Sequence, residues 1–185
     1  MSCDSSANGT ARSRHQPAPP TTLVAGLGNP ILGDDGVGWR VAEAVSAAIL
    51  AAGDCAEDVE VACFALGGLS LMEHLIGYEK VIIIDSIQTR DGIPGQVYRL
   101  ALEDLPDFST GHTTAAHDTS LQTAMRLGRT MGVELPHDVS LVGIEARHVY
   151  DFSEELSPSI AAAVPEAVCA VLEILQIDSL PVVEP

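Results

Sequence analysis

Apolar positions recur along this chain with two periods, one suited to buried strands and one to amphipathic helices. Leu23 to Leu27 is a short apolar run that predicts a buried strand; Val37, Val41, Ala44, Val45 and Ala48 then follow at helical spacing to about residue 52. Val59 to Leu66 predicts a second strand, followed by Gly67-Gly68 and a short helix from Leu69 to Ile76. Val81 to Ile84 is uninterrupted and β-branched, the pattern of a strand covered on both faces, and it ends at Asp85. After the loop QTRDGIPG, Gln96 to Leu100 alternates in polarity and predicts an edge strand. Thr119 to Arg129 predicts a helix opened by a capping box, Thr119-x-x-Gln122. Ser140 to Ile144 predicts the last strand. Pro158 to Leu175 predicts a long closing helix, with a kink or break expected at Pro165.

Strands alternating with helices in this way predict an α/β fold: a three-layer α/β/α sandwich around a mostly parallel, about five-stranded twisted sheet. The expected organisation is a disordered leader over 1–21, a single α/β domain over 22–176 and a flexible tail over 177–185. The leader is small, polar and proline-rich and lacks the apolar centre of a signal peptide.

Composition narrows the partners. With 9 basic and 26 acidic residues the net charge is −17, which opposes a nucleic-acid surface. Cys3, Cys55, Cys63 and Cys169 lie far apart with no C-x-x-C pair, so neither a disulfide framework nor a thiolate cage is expected, and a reducing cytoplasm fits. No apolar stretch is expected to reach the roughly 18 residues of a membrane span.

Ligands of open parallel sheets bind beyond the carboxyl ends of the strands. The first predicted strand delivers Gly28, Asn29, Asp34 and Asp35 there, the second Gly67 and Gly68, the third Asp85, and the last Glu145 with His148 shortly after; His117 lies just ahead of a helix. A dinucleotide fingerprint fails on its details, because Ile31 occupies the third small position, Pro30 removes an amide, and Asp34 and Asp35 repel a pyrophosphate. Oxygen and nitrogen donors instead suit a transition-metal cation such as Ni, Zn, Fe or Mn. Each residue also has an ordinary use. Asp35 and Asp34 can cap a helix, Asp85 can form a turn, and His117 and its neighbour His112 can be loop histidines. Glu145 can pair with Arg147 or Arg40, and Trp39 suits core packing.

The stretches GLGNPILGDDGVGWRVAEAV, GG-x-S-L-M-E-x-L, VIIIDSI, HDTSL and SLVGIE, in this order, resemble the nickel-iron hydrogenase maturation endopeptidases over about residues 22 to 175. The resemblance implies an endopeptidase that removes a C-terminal extension from the hydrogenase large-subunit precursor once nickel is inserted. It implies Asp35, Asp85 and His117 as the nickel-contacting trio, with the nickel supplied by the precursor rather than held by the free enzyme. Gly28, Asn29, Gly67 and Gly68 are candidate substrate contacts, since a floor without side chains lets an extended peptide approach. Two rival functions remain: a nickel carrier or chaperone using the same trio, and a peptidyl-tRNA hydrolase, which shares GLGNP. The acidic charge and the lack of a histidine after that motif oppose the second.

Overall fold

The computed structural model describes residues 20–53, 58–104 and 120–177. Its elements run β1 (Thr22–Leu27), α1 (Val37–Ala52), β2 (Val59–Phe64), α2 (Gly68–His74), β3 (Lys80–Ile87), β4 (Val97–Ala101), α3 (Leu121–Thr130), β5 (Asp138–Glu145) and α4 (Pro158–Leu175). The five strands form one sheet in the order β2-β1-β3-β5-β4, parallel except for the antiparallel edge strand β4.

Strand alternation divides the core in two. Val24, Ile82, Ile84, Val142 and Ile144 point to one face, where they meet Val41 and Val45 of α1 and Ile160, Ala167 and Val171 of α4. Leu23, Ala25, Leu27, Val81, Ile83 and Leu141 point to the other, against Leu71 and Met72 of α2 and Ala124 and Met125 of α3. The chain is therefore a three-layer α/β/α sandwich with a mostly parallel sheet. Both central strands are covered on both sides, which is why their sequences read as unbroken apolar runs.

Several boundaries differ from the sequence reading. In α1 the buried stripe is Val37, Val41, Ala42, Val45 and Ile49, whereas Ala44 and Ala48 are half-buried. Strand β3 does not stop at Asp85 but continues to Ile87, because β5 keeps pairing with it as far as Ile87↔Glu145. Helix α3 is opened by Ser120, whose Oγ accepts from the Thr123 amide at 3.2 Å, and Gln122 Nε2 donates to the Leu102 carbonyl at 2.6 Å. Thr119, the expected cap, lies outside the described residues.

Helix α4 runs unbroken through Pro165. Pro165 and Ala161, whose carbonyl loses its helical partner to the proline ring, both face solvent, so water can satisfy that oxygen. This helix also corrects the expectation about apolar stretches: its 18 residues have a mean hydropathy of 1.6, enough by length and composition alone to cross a membrane. Here its buried stripe packs on α1 and β5 as a core helix.

Thr21 and Ile177, placed by sequence in the leader and tail, are hydrogen-bonded into the fold: Thr21 N–H to the Asp58 carbonyl (3.1 Å) and Ile177 N–H to the Leu172 carbonyl (3.0 Å). Residues 1–19 and 178–185 lie outside the described residues.

Candidate active site

The chain leaves β1 toward β2 on one side and returns through α2 to β3 on the other side of β1. Right-handed crossovers in opposite directions put α1 and α2 on opposite faces, and their connections part above the carboxyl ends of β1 and β3. Into this crevice β1 sends the loop carrying Asp35, and β3 sends Asp85. A cleft of about 760 Å³ lies there, with Gly28, Asn29, Asp35, Gly67, Gly68 and Asp85 along its wall.

Asp85 sits where β3 has lost one neighbour. Pairing with β1 ends at Ile84↔Gly26, while pairing with β5 continues through Asp85↔Gly143. By alternation its side chain shares the face of Ile83 and Ile87, both of which line the same cleft. Burial, with the Asp35 charge as the second cause, pushes its carboxyl from 3.8 up to about 7; a backbone hydrogen bond from Ser86 works the other way.

Asp35 lies in a single 3₁₀ turn, Gly33–Gly36, ahead of α1. Neither it nor Asp34 caps a helix through its side chain. Asp35 Oδ2 instead accepts from the Asn29 amide at 2.7 Å, and Oδ1 accepts from the Ser86 hydroxyl at 3.2 Å. The loop folds this tightly because Gly28 adopts φ +115° and any Cβ there would lie 1.8 Å from the Asp35 carbonyl oxygen. A second close approach docks the following helix: a Cβ at Gly38 would lie 2.2 Å from the Leu27 carbonyl oxygen and 2.5 Å from that of Ile84.

Below the cleft, the Phe64 carbonyl accepts from both Gly28 N–H (3.2 Å) and Trp39 Nε1–H (3.3 Å). Trp39 is thus half-buried and tethered, which fits its expected packing role. The rest of the lining is largely apolar and includes Leu66, Leu71, Ile87, Leu102, Leu121 and Leu141. Sequence reading missed these residues because they come from separate segments of the chain.

Other candidates have different duties. Asp34, 1% exposed, accepts from Ser157 N–H (2.7 Å), Ser157 Oγ–H (3.0 Å) and His148 N–H (3.4 Å). Glu145, also 1% exposed, pairs with neither Arg147 nor Arg40; it accepts from the Thr89 amide (2.9 Å) and hydroxyl (3.0 Å). Arg147 reaches the Gly92 carbonyl (3.0 Å), and Arg40 the Glu154 carbonyl (3.2 Å). His148 is exposed and sits 2.9 Å from Asp151. Cys63 is no ready nucleophile, since burial and then Glu43 raise its thiol above the ordinary value. His117 and His112 lie outside the described residues, and among the described residues no three His, Cys, Asp or Glu side chains gather as an ion site.

The profile of the hydrogenase maturation proteases matches residues 40–174, more than half of the chain. The chain belongs to the hydrogenase maturation protease family. That match contains Asp85 and begins after Asp35. Among individual family members, hydrogenase 2 maturation protease of Escherichia coli K12 is 27% identical over 154 residues, spanning 83% of this chain and 90% of its own. The hydrogenase expression/formation protein HupD of Rhizobium leguminosarum bv. viciae is 24% identical over 161 residues, 86% of this chain and 76% of that one. In three dimensions the E. coli hydrogenase maturating endopeptidase HybD superposes with a TM-score of 0.67 at 26% identity, covering 84% of this chain and 91% of its own. The hydrogenase 2 maturation peptidase of a Thaumarchaeota archaeon gives 0.59 at 31% identity, with 85% and 99% covered.

Proposed function

We propose that this hydrogenase maturation protease is the endopeptidase that removes the C-terminal extension of a nickel-iron hydrogenase large-subunit precursor after nickel insertion. Nickel enters as part of the substrate, and Asp35, Asp85 and His117 are the side chains that contact it. The observation that carries this reading is the Asp35–Asp85 relationship: two carboxylates open to one cleft, the second held up to about 7 by burial and by the charge of the first. A divalent cation relieves that repulsion, and carboxylate oxygens with an imidazole nitrogen form a donor set that nickel accepts. Held there, nickel marks the loaded precursor as ready for cutting and can polarise the scissile carbonyl.

The chain's own part is positional. The Asn29 amide and the Ser86 hydroxyl fix the Asp35 carboxylate, while Gly67 and Gly68 leave the cleft floor open to an extended tail. Cys63 and Cys169 are free, in keeping with a reducing cytoplasm.

The test is mass spectrometry of nickel-loaded and nickel-free large-subunit precursor, each incubated with wild-type protein and with Asp85→Asn. Truncation of the loaded precursor by wild type alone is the expected result. Binding without truncation overturns the protease reading in favour of a carrier. Equal truncation of the nickel-free form removes nickel from recognition.

A further inference from the structure

Two of the most exposed apolar side chains lie beside the ligand loop rather than inside the cleft. Tyr150 is 82% exposed and Phe152 88%, with Ile31 next to them at 46%. Isolated apolar residues on a surface are ordinary, but these three form one group because the backbone joins their segments. Gly33 N–H donates to the Ser153 carbonyl at 2.7 Å, Ser153 N–H donates to the Ile31 carbonyl at 3.2 Å, and Leu32 and Ser153 form a parallel bridge.

The buried Asp34 carboxylate holds the same two segments from below through Ser157 and the His148 amide. Asp34 and Asp35 are consecutive. The surface carrying Tyr150 and Phe152 and the loop carrying Asp35 are therefore one rigid unit on the carboxyl rim of the sheet.

Charge identifies what covers it. Asp151, Glu154 and Glu155 are exposed around the aromatic pair; among the described residues only His148 pairs with Asp151, and no lysine or arginine pairs with the carboxylates of Glu154 or Glu155. A second copy would bring the same acidic rim and a net charge of −17, and an anionic membrane would be repelled in the same way. An apolar centre within an acidic rim fits a protein surface with an apolar patch bordered by lysine or arginine.

Resting on the reading of the cleft given above, we infer that Ile31, Tyr150 and Phe152 form the docking surface for the folded body of the same precursor whose tail enters the cleft. Rigid attachment to the Asp35 loop makes docking set the depth at which the tail reaches Asp35 and Asp85. Aromatic anchors at the centre of such a surface carry most of its affinity.

The experiment compares wild type, Tyr150→Ser/Phe152→Ser and Glu154→Lys/Glu155→Lys on nickel-loaded precursor, with thermal melts verifying that all three fold alike. KM is expected to rise at least tenfold in the serine variant with kcat within twofold of wild type. In the lysine variant KM should rise and the salt dependence of kcat/KM should flatten. KM within twofold of wild type in both variants overturns the inference, as does a wild-type dimer that the serine variant abolishes. If wild type cuts no precursor, the cleavage reading fails separately; precursor Kd by calorimetry then decides, and equal values for wild type and the serine variant overturn the docking surface.

Discussion

Ser86 and Asp35, 51 positions apart in the chain, meet through a single hydrogen bond in which the serine hydroxyl donates to Asp35 Oδ1 at 3.2 Å. The residue that follows the half-buried Asp85 thus orients the other carboxylate of the cleft. Alternation along β3 makes this possible: Asp85 and Ser86 point to opposite faces, and Asp35 lies where both can address it.

Removing that hydroxyl should cost positioning rather than folding. For Ser86→Ala we expect processing of the loaded precursor to slow roughly tenfold, the equivalent of about 1.4 kcal/mol for one hydrogen bond to a charged acceptor. The Asn29 amide still holds the other oxygen. Ser86→Thr, which restores a donor, should recover most of the rate in the same mass-spectrometric assay. Equal rates for Ala and wild type would remove Ser86 from the site.

Asp85 gives a pH signature that needs no substrate. Its carboxyl, ordinarily near 3.8, is raised to about 7 in the fold. The folded protein therefore keeps a proton that the unfolded chain has released. The stabilising contribution is complete below pH 3.8 and is lost as pH rises through about 7. Asp85→Asn should consequently melt higher than wild type at pH 8, by up to roughly 4 kcal/mol, and nearly level with it at pH 4. Calorimetry at the two pH values measures the difference; a constant offset would show that Asp85 titrates normally.

Gly38→Ala sets two effects against each other. Alanine favours helix over glycine by about 1 kcal/mol. Against that, its Cβ would stand 2.2 Å from the Leu27 carbonyl oxygen and 2.5 Å from that of Ile84, both backbone atoms of central strands. Sterics should win, with a net loss of about 3 kcal/mol or more in urea denaturation as α1 lifts from the sheet. A neutral result would mean that α1 can move outward without strain.

Much of the architecture could be read before folding was known. Val81 to Ile84 announced a central strand because both of its faces are buried, and Gln96 to Leu100 announced an edge by its mixed polarity, β4 being paired with β5 alone. The glycine loop and Asp85 pointed to the carboxyl rim for the same topological reason. What stayed hidden depends on tertiary pairing. Asp34 and Asp35 look equivalent in a row of letters, yet one is clamped to Ser157 and the other opens to the cleft. Glu145 offered itself as an ion-pair partner, and only the fold shows Thr89 donating to it. The cap of α3 fell one residue from its expected place because Ser120 and Thr119 offer the same hydroxyl chemistry.

The bond between Asp34 and Ser157 spans 123 residues and joins the first loop of the domain to the start of its last helix. Loop-closure entropy opposes a contact of that separation. A chain truncated before Ser157 would lose both hydrogen bonds that residue gives Asp34, leaving the buried carboxylate with the His148 amide at 3.4 Å.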